Sequence, residues 1–122
     1  MLTELRKDVR FEAAHRLPNV PAGHKCERLH GHSFRVTIVV RGPLDPKLGW
    51  VVDYAEIERA WRPLHELLDH RYLNDVAGLE NPTSELLARF IAERLALPVG
   101  TLHAVVVHET CTASATVYLG TP

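Results

Sequence analysis

Long hydrophobic runs are missing from this chain. Nothing in it approaches the ~18 consecutive apolar residues of a membrane span, and its amino-terminal residues alternate in polarity instead of forming the apolar stretch of a signal peptide. A cytoplasmic protein is expected. A dominant charge is missing too: the net charge is −1 with eight neutral histidines, which leaves no global electrostatic case for nucleic acid or an anionic membrane, so an anionic substrate must be held locally. Cysteine is scarce. Cys26 and Cys111 could pair, but two thiols make no disulfide framework, and in a reducing compartment a cysteine beside clustered histidines reads as a ligand or a nucleophile. There is neither a repeat nor a low-complexity segment. At 122 residues the chain is expected to form one domain, 1–122, near the size where burial is modest and self-association a common supplement.

What the chain does have is Cys26-Glu27-Arg28-Leu29-His30-Gly31-His32, a thiol, a carboxylate and two imidazoles within seven residues. Downstream, His30, His32, Phe34, Val36, Ile38 and Val40 share one parity and Ser33, Arg35, Thr37 and Arg41 the other, the period of a half-buried strand. His30 and His32 therefore project from one face and can reach one cation, with zinc the first candidate. Val9, Phe11, Ala13 and His15 form the apolar face of an earlier strand, and the Pro- and Gly-bearing run from Arg16 to Lys25 reads as the loop between the two. If these strands pair, His15 approaches His30 and His32. Three protein ligands leave the fourth position open, which marks a catalytic rather than a structural zinc.

Asp53 with Glu56 three residues later has the form of a capping box. Ile57, Ala60, Trp61, Leu64, Leu67 and Leu68 follow at helical spacing, with Pro63 expected to bend the helix. Asp69 and His70 leave its last turn, and Arg71 to Glu80 reads as loop. Asn81-Pro82 is expected to cap and open a second helix with Leu86, Leu87, Phe90, Ile91 and Leu95 buried, ended by Pro98 with Gly100. Leu102 to Thr110 and Ala115 to Leu119 complete the order strand, strand, helix, helix, strand, strand. The expected class is α+β, a four-stranded antiparallel sheet with both helices on one face. The other face, with Arg10, Glu12, Ser33, Arg35 and Thr37, is left to water or a partner, and the open edges favour self-pairing.

His15, the stretch from Cys26 to His32, Leu68-Asp69-His70, Asn81-Pro82-Thr83-Ser84-Glu85 and His108-Glu109-Thr110 together carry a resemblance. The chain resembles the 6-pyruvoyltetrahydropterin synthase family from Phe11-Glu12-Ala13-Ala14-His15-Arg16-Leu17-Pro18 to Glu109-Thr110-Cys111-Thr112, most closely its bacterial 6-carboxytetrahydropterin synthase branch of queuosine biosynthesis. The resemblance implies the tunnelling fold, a homohexamer of two trimeric rings, and active sites at subunit interfaces. It implies Zn2+ on His15, His30 and His32, Cys26 as the catalytic cysteine, Asp69 and His70 as its partner pair, and Glu109 as the pterin anchor. The implied reaction is a lyase step that turns 7,8-dihydroneopterin triphosphate into 6-carboxy-5,6,7,8-tetrahydropterin, with release of acetaldehyde and triphosphate.

The residue types suit that chemistry. A thiol near zinc and an imidazole can serve as general base, His70 oriented by Asp69 can relay protons, and a carboxylate at Glu109 can accept two hydrogen bonds from an amino-pyrimidine edge. Thr83 and Ser84, at a helix start, are candidates for holding the ring or the phosphates. Glu27 opens an alternative, because a folate-pathway branch of the family uses glutamate near this place. A chain with both Cys26 and Glu27 resembles members that also release 6-hydroxymethyl-7,8-dihydropterin, and the pyruvoyl product is a further alternative. Outside enzymes, the same histidines could hold a structural zinc in a pterin-binding protein. Each residue also has a plainer reading: Asp69-His70 as a helix end, Glu109 as a solvated charge, Cys26 as an inert thiol. His24, His65 and His103 are read as packed or surface side chains.

Overall fold

The computed structural model describes residues 1–98 and 101–120. Two long strands, β1 (Thr3–His15) and β2 (His30–Gly42), pair antiparallel over their full length, with Leu5 opposite Val40, Phe11 opposite Phe34 and His15 opposite His30. Alternation places Val9, Phe11 and Ala13 of β1 and Phe34, Val36, Ile38 and Val40 of β2 on one buried face. The Phe11 and Phe34 rings stack at 4.9 Å.

Two helices cover that face. In α1 (Tyr54–Leu68), Ile57, Trp61, Leu64 and Leu68 recur at three- and four-residue steps and are buried, whereas Leu67, expected in the same stripe, turns outward. Asp53 caps α1 by accepting from the Ala55 amide at 2.9 Å, and the helix runs as one element across Pro63. In α2 (Ser84–Arg94), Leu87, Ala88, Phe90 and Ile91 are buried. Its cap is Thr83, whose Oγ1 accepts from the Leu86 amide at 3.1 Å, and not Asn81 as the Asn-Pro pair suggested. Pro82 therefore precedes the cap instead of opening the helix. The expected stop at Pro98 with Gly100 lies past the observed end at Arg94, and Gly100 is outside the described residues.

The sheet has five strands, in the order β3-β1-β2-β4-β5, where β3 is Arg71–Tyr72, β4 Leu102–His108 and β5 Ser114–Tyr118. β3 pairs parallel with β1, so the sheet is mixed and not the four-stranded antiparallel one expected. Two residues carry no readable alternation. His70 makes the turn into β3 at a left-handed φ of 56°, a conformation that costs a non-glycine residue about 1–3 kcal/mol. The Glu12 carbonyl, accepting from the His70 amide at 2.6 Å, helps hold it there.

β4 ends at His108, two residues before the expected limit, because the Glu109 amide turns to the Ala113 carbonyl at 3.2 Å. On the helix-free face, Thr37 is buried, and its hydroxyl lies 2.7 Å from Asp8 Oδ1 and 3.0 Å from His108 Nε2, so this face is a bonded polar layer and not simply a wetted one. No helix among the described residues is long and apolar enough to cross a membrane.

Candidate metal centre and active site

The β1–β2 register puts His15 opposite His30 and Ala13 opposite His32 at one end of the pair. The three imidazoles share the inner face, with ring centroids 4.6 to 5.1 Å apart. One ligand atom from each lies within 4.8 Å of the other two, and Nε2 of His15 is 3.0 Å from Nε2 of His30. Among the described residues this three-histidine group is the one cluster able to hold a metal ion; neither Cys26 nor Glu109 belongs to it.

Hydrogen bonds fix the tautomers. Nδ1 of His15 lies 2.9 Å from the Pro82 carbonyl oxygen and Nδ1 of His30 lies 2.7 Å from that of Arg28. A carbonyl can only accept, so each Nδ1 carries the hydrogen, and in the neutral ring each Nε2 presents a lone pair. Nε2 of His32 is buried without a partner, and Oε1 of Glu109 stands 3.4 Å from His15 Nε2 and 3.6 Å from His32 Nε2. The lone pairs of His15 and His30 thus converge beside a carboxylate and an unpartnered His32 nitrogen, an arrangement that a cation resolves. With Zn–N at about 2.0–2.1 Å, tetrahedral ligand nitrogens sit about 3.3 Å apart, close to the observed 3.0 Å.

Burial pushes the His15 imidazole down from its ordinary pKa of 6.5; the Pro82 hydrogen bond opposes this and neighbouring His30 reinforces it. Burial likewise pushes His32 down, against the raising effect of Glu109. Both rings are therefore held in the neutral form that a metal needs. The outer partners, the carbonyls of Pro82 and Arg28, escaped the sequence reading. Every residue has a carbonyl, so only the fold reveals which ones face the histidines.

Glu109 reaches this cluster directly because β4 runs beside β2, pairing His108 with Arg35. No second subunit is needed to bring it, contrary to what its distance along the chain suggests. Cys26 lies half-buried in a one-turn 3-10 helix, Lys25–Glu27, just before β2. The side chain of Glu27, a candidate for substrate contact, turns back instead: its Oε2 accepts from the Gly23 amide at 3.1 Å. Thr83 is used as the helix cap and Ser84 is the first residue of α2; Pro82 just before them is the neighbour that meets His15.

Asp69 and His70 are not members of the three-histidine group. Asp69 Oδ1 accepts from the Glu12 amide at 2.8 Å and its Oδ2 lies 2.8 Å from Nδ1 of His70, the first of these bonds being the main reason that its carboxyl is held below the usual range. His70 is 78% exposed. With Glu12, His32, Ser33, Arg71 and Tyr72 it lines a cavity of about 550 Å³ alongside β1, so one of the three histidines borders the same space.

Comparison with known proteins accounts for this assembly. The 6-carboxy-5,6,7,8-tetrahydropterin synthase of Synechocystis sp. is 44% identical over 115 residues, 89% of this chain and 88% of that one. Human 6-pyruvoyl tetrahydrobiopterin synthase is 32% identical over 123 residues, 88% and 85% of the two chains. The solved structure of Caenorhabditis elegans 6-pyruvoyl tetrahydropterin synthase superposes with a TM-score of 0.90 at 26% identity, covering 98% of this chain and 97% of that one. The family model described as 6-pyruvoyl tetrahydropterin synthase matches residues 4–119, and the chain belongs to that family.

Proposed function

We propose that the chain is a zinc-dependent 6-carboxytetrahydropterin synthase, which converts 7,8-dihydroneopterin triphosphate to 6-carboxy-5,6,7,8-tetrahydropterin with release of acetaldehyde and triphosphate and serves queuosine biosynthesis in the cytoplasm. The observation that carries a metal-dependent reaction is the convergence of three histidine nitrogens, two of which, on His15 and His30, are turned inward as lone pairs by hydrogen bonds at Nδ1. The 44% identity to a 6-carboxytetrahydropterin synthase favours the carboxy product over the pyruvoyl one.

His15, His30 and His32 hold the ion, which when bound supplies Lewis-acid polarisation that makes a substrate hydroxyl easier to deprotonate. Cys26 takes that proton. Glu109 accepts hydrogen bonds from the amino-pyrimidine edge and so sets how the substrate side chain faces the thiol. Asp69 holds Nδ1 of His70, which leaves Nε2 to exchange protons. Within one chain His70 is exposed beside β1, so a neighbouring copy in a homohexameric ring brings it to the three-histidine cluster. The strand edges at β3 and β5 are where such a ring closes.

A second reading, release of 6-hydroxymethyl-7,8-dihydropterin with Glu27 as base, is disfavoured by the commitment of Glu27 to Gly23. Incubation of the zinc-loaded chain with 7,8-dihydroneopterin triphosphate, followed by chromatographic resolution of the pterins, tests the proposal. The carboxy product is expected. A dominant pyruvoyl or hydroxymethyl pterin refutes the assignment, and no turnover with tight pterin binding supports a structural metal instead.

A further inference from the structure

The turn that carries Cys26 is held by its own side chains. His24, read from sequence as a bystander, is the cap of the one-turn helix, and its Nδ1 accepts from the Cys26 amide at 3.1 Å. The Cys26 carbonyl accepts from the Leu17 amide at 2.8 Å, so both peptide groups of the cysteine are fixed. Glu27 closes the turn from the other side: its Oε2 takes the amide of Gly23, whose φ of 86° only glycine adopts freely, and its carbonyl takes Nε of Arg16 at 3.1 Å. The cap histidine thus satisfies the amide two residues on, and the glutamate three positions later satisfies the amide just before the cap. With its backbone pinned, Cys26 can move its sulfur only about its own side-chain torsion.

We propose that His24 is a positioning residue for Cys26. The proposal rests on the reading of Cys26 as the base. An imidazole suits the cap because a ring nitrogen that carries no hydrogen accepts from the amide two residues on. The gain is orientational, since small displacements of a reacting group lower a rate steeply while leaving substrate binding little changed.

The test uses the zinc-loaded chain with Cys111→Ser, so that Cys26 is the sole thiol. His24→Ala and His24→Asn are compared with the parent for kcat and KM with dihydroneopterin triphosphate, and for the rate of Cys26 alkylation by iodoacetamide, followed by mass spectrometry. His24 is exposed in a loop, so its replacement leaves the core intact. His24→Ala is expected to lower kcat at least about fivefold, the scale of one hydrogen bond, with KM within about twofold and alkylation at least about threefold faster. His24→Asn should return both readouts to within about twofold, because an asparagine oxygen can accept from the amide two residues on. Wild-type values for His24→Ala in both readouts, or no recovery in His24→Asn, overturn the role of His24. If the parent chain consumes no pterin, the proposed function falls separately, and the alkylation rates still decide whether His24 holds the cysteine.

Discussion

Zinc should stabilise this chain by an amount that depends on pH in a definite direction. At a free zinc concentration a hundred times Kd, binding to the native state alone adds about 2.7 kcal/mol. Unfolding entropy of about 2.1 cal/mol/K per residue, taken over 122 residues, makes 1 kcal/mol worth about 4 °C, so the midpoint should rise by about 10 °C. The sign of the pH effect follows from His15 and His32, whose pKa values are pushed below the ordinary 6.5 mainly by burial. Between those lowered values and 6.5 the unfolded chain binds more protons than the native one, so the stability of the metal-free protein is full above 6.5 and falls as the pH drops through this window. Protons also compete with metal for the same nitrogens, so the zinc increment shrinks in the same direction. Thermal unfolding followed by circular dichroism, with chelator-treated and zinc-supplemented chain at pH 7.5 and 5.5, measures both effects. His32→Ala removes the nitrogen that has no other partner, and should reduce the pH 7.5 increment to a few degrees. An increment below about 2 °C for the parent at pH 7.5, or an equal one in His32→Ala, would refute the idea that these acceptors are gathered for a cation.

Three further outcomes are expected. Cys26→Ala should keep zinc content and unfolding midpoint while losing about 10²–10⁴-fold in kcat, the usual worth of a general base; activity at the parent level would move the base role elsewhere. Glu109→Gln should weaken pterin binding about tenfold or more and leave zinc stoichiometry at one per chain, as isothermal titration and metal analysis would show; loss of the metal instead would make Glu109 a ligand. Chains carrying Cys26→Ala and His70→Ala, each inactive, should regain part of the activity when unfolded together and reassembled, whereas Cys26→Ala with Glu109→Ala should not. Recovery in the second pair alone would reverse the proposed division of the site between copies.

The three-histidine cluster was legible in the sequence because strand alternation is local. Parity alone put His30 and His32 on the face shared with Phe34 and Val36, and ended the apolar face of the first strand at His15, so a single assumption, that the two strands pair, brought the three together. The capping of α1 by Asp53 was legible for the same reason, since a cap and its amide are two residues apart. The cap of α2 was not, because Asn81, Thr83 and Ser84 all suit the role. The choice of Thr83 goes with the use of the Pro82 carbonyl by His15, 67 residues away.

What only the tertiary structure decided are the meetings that no local period encodes. β3 is two residues long and depends on the left-handed turn at His70 and on the backbone of Glu12, so no side-chain pattern announces it. Glu109 and Asp69-His70 looked alike as chemistry-bearing residues at the ends of elements, yet β4 beside β2 carries the first to the histidines, while the second is tied to the Glu12 amide and is not a member of the three-histidine group. Sequence sets which face a residue occupies through its own strand or helix. Which residues then share a site is set by the order of strands in the sheet, a property of long-range pairing that no stretch of chain contains by itself.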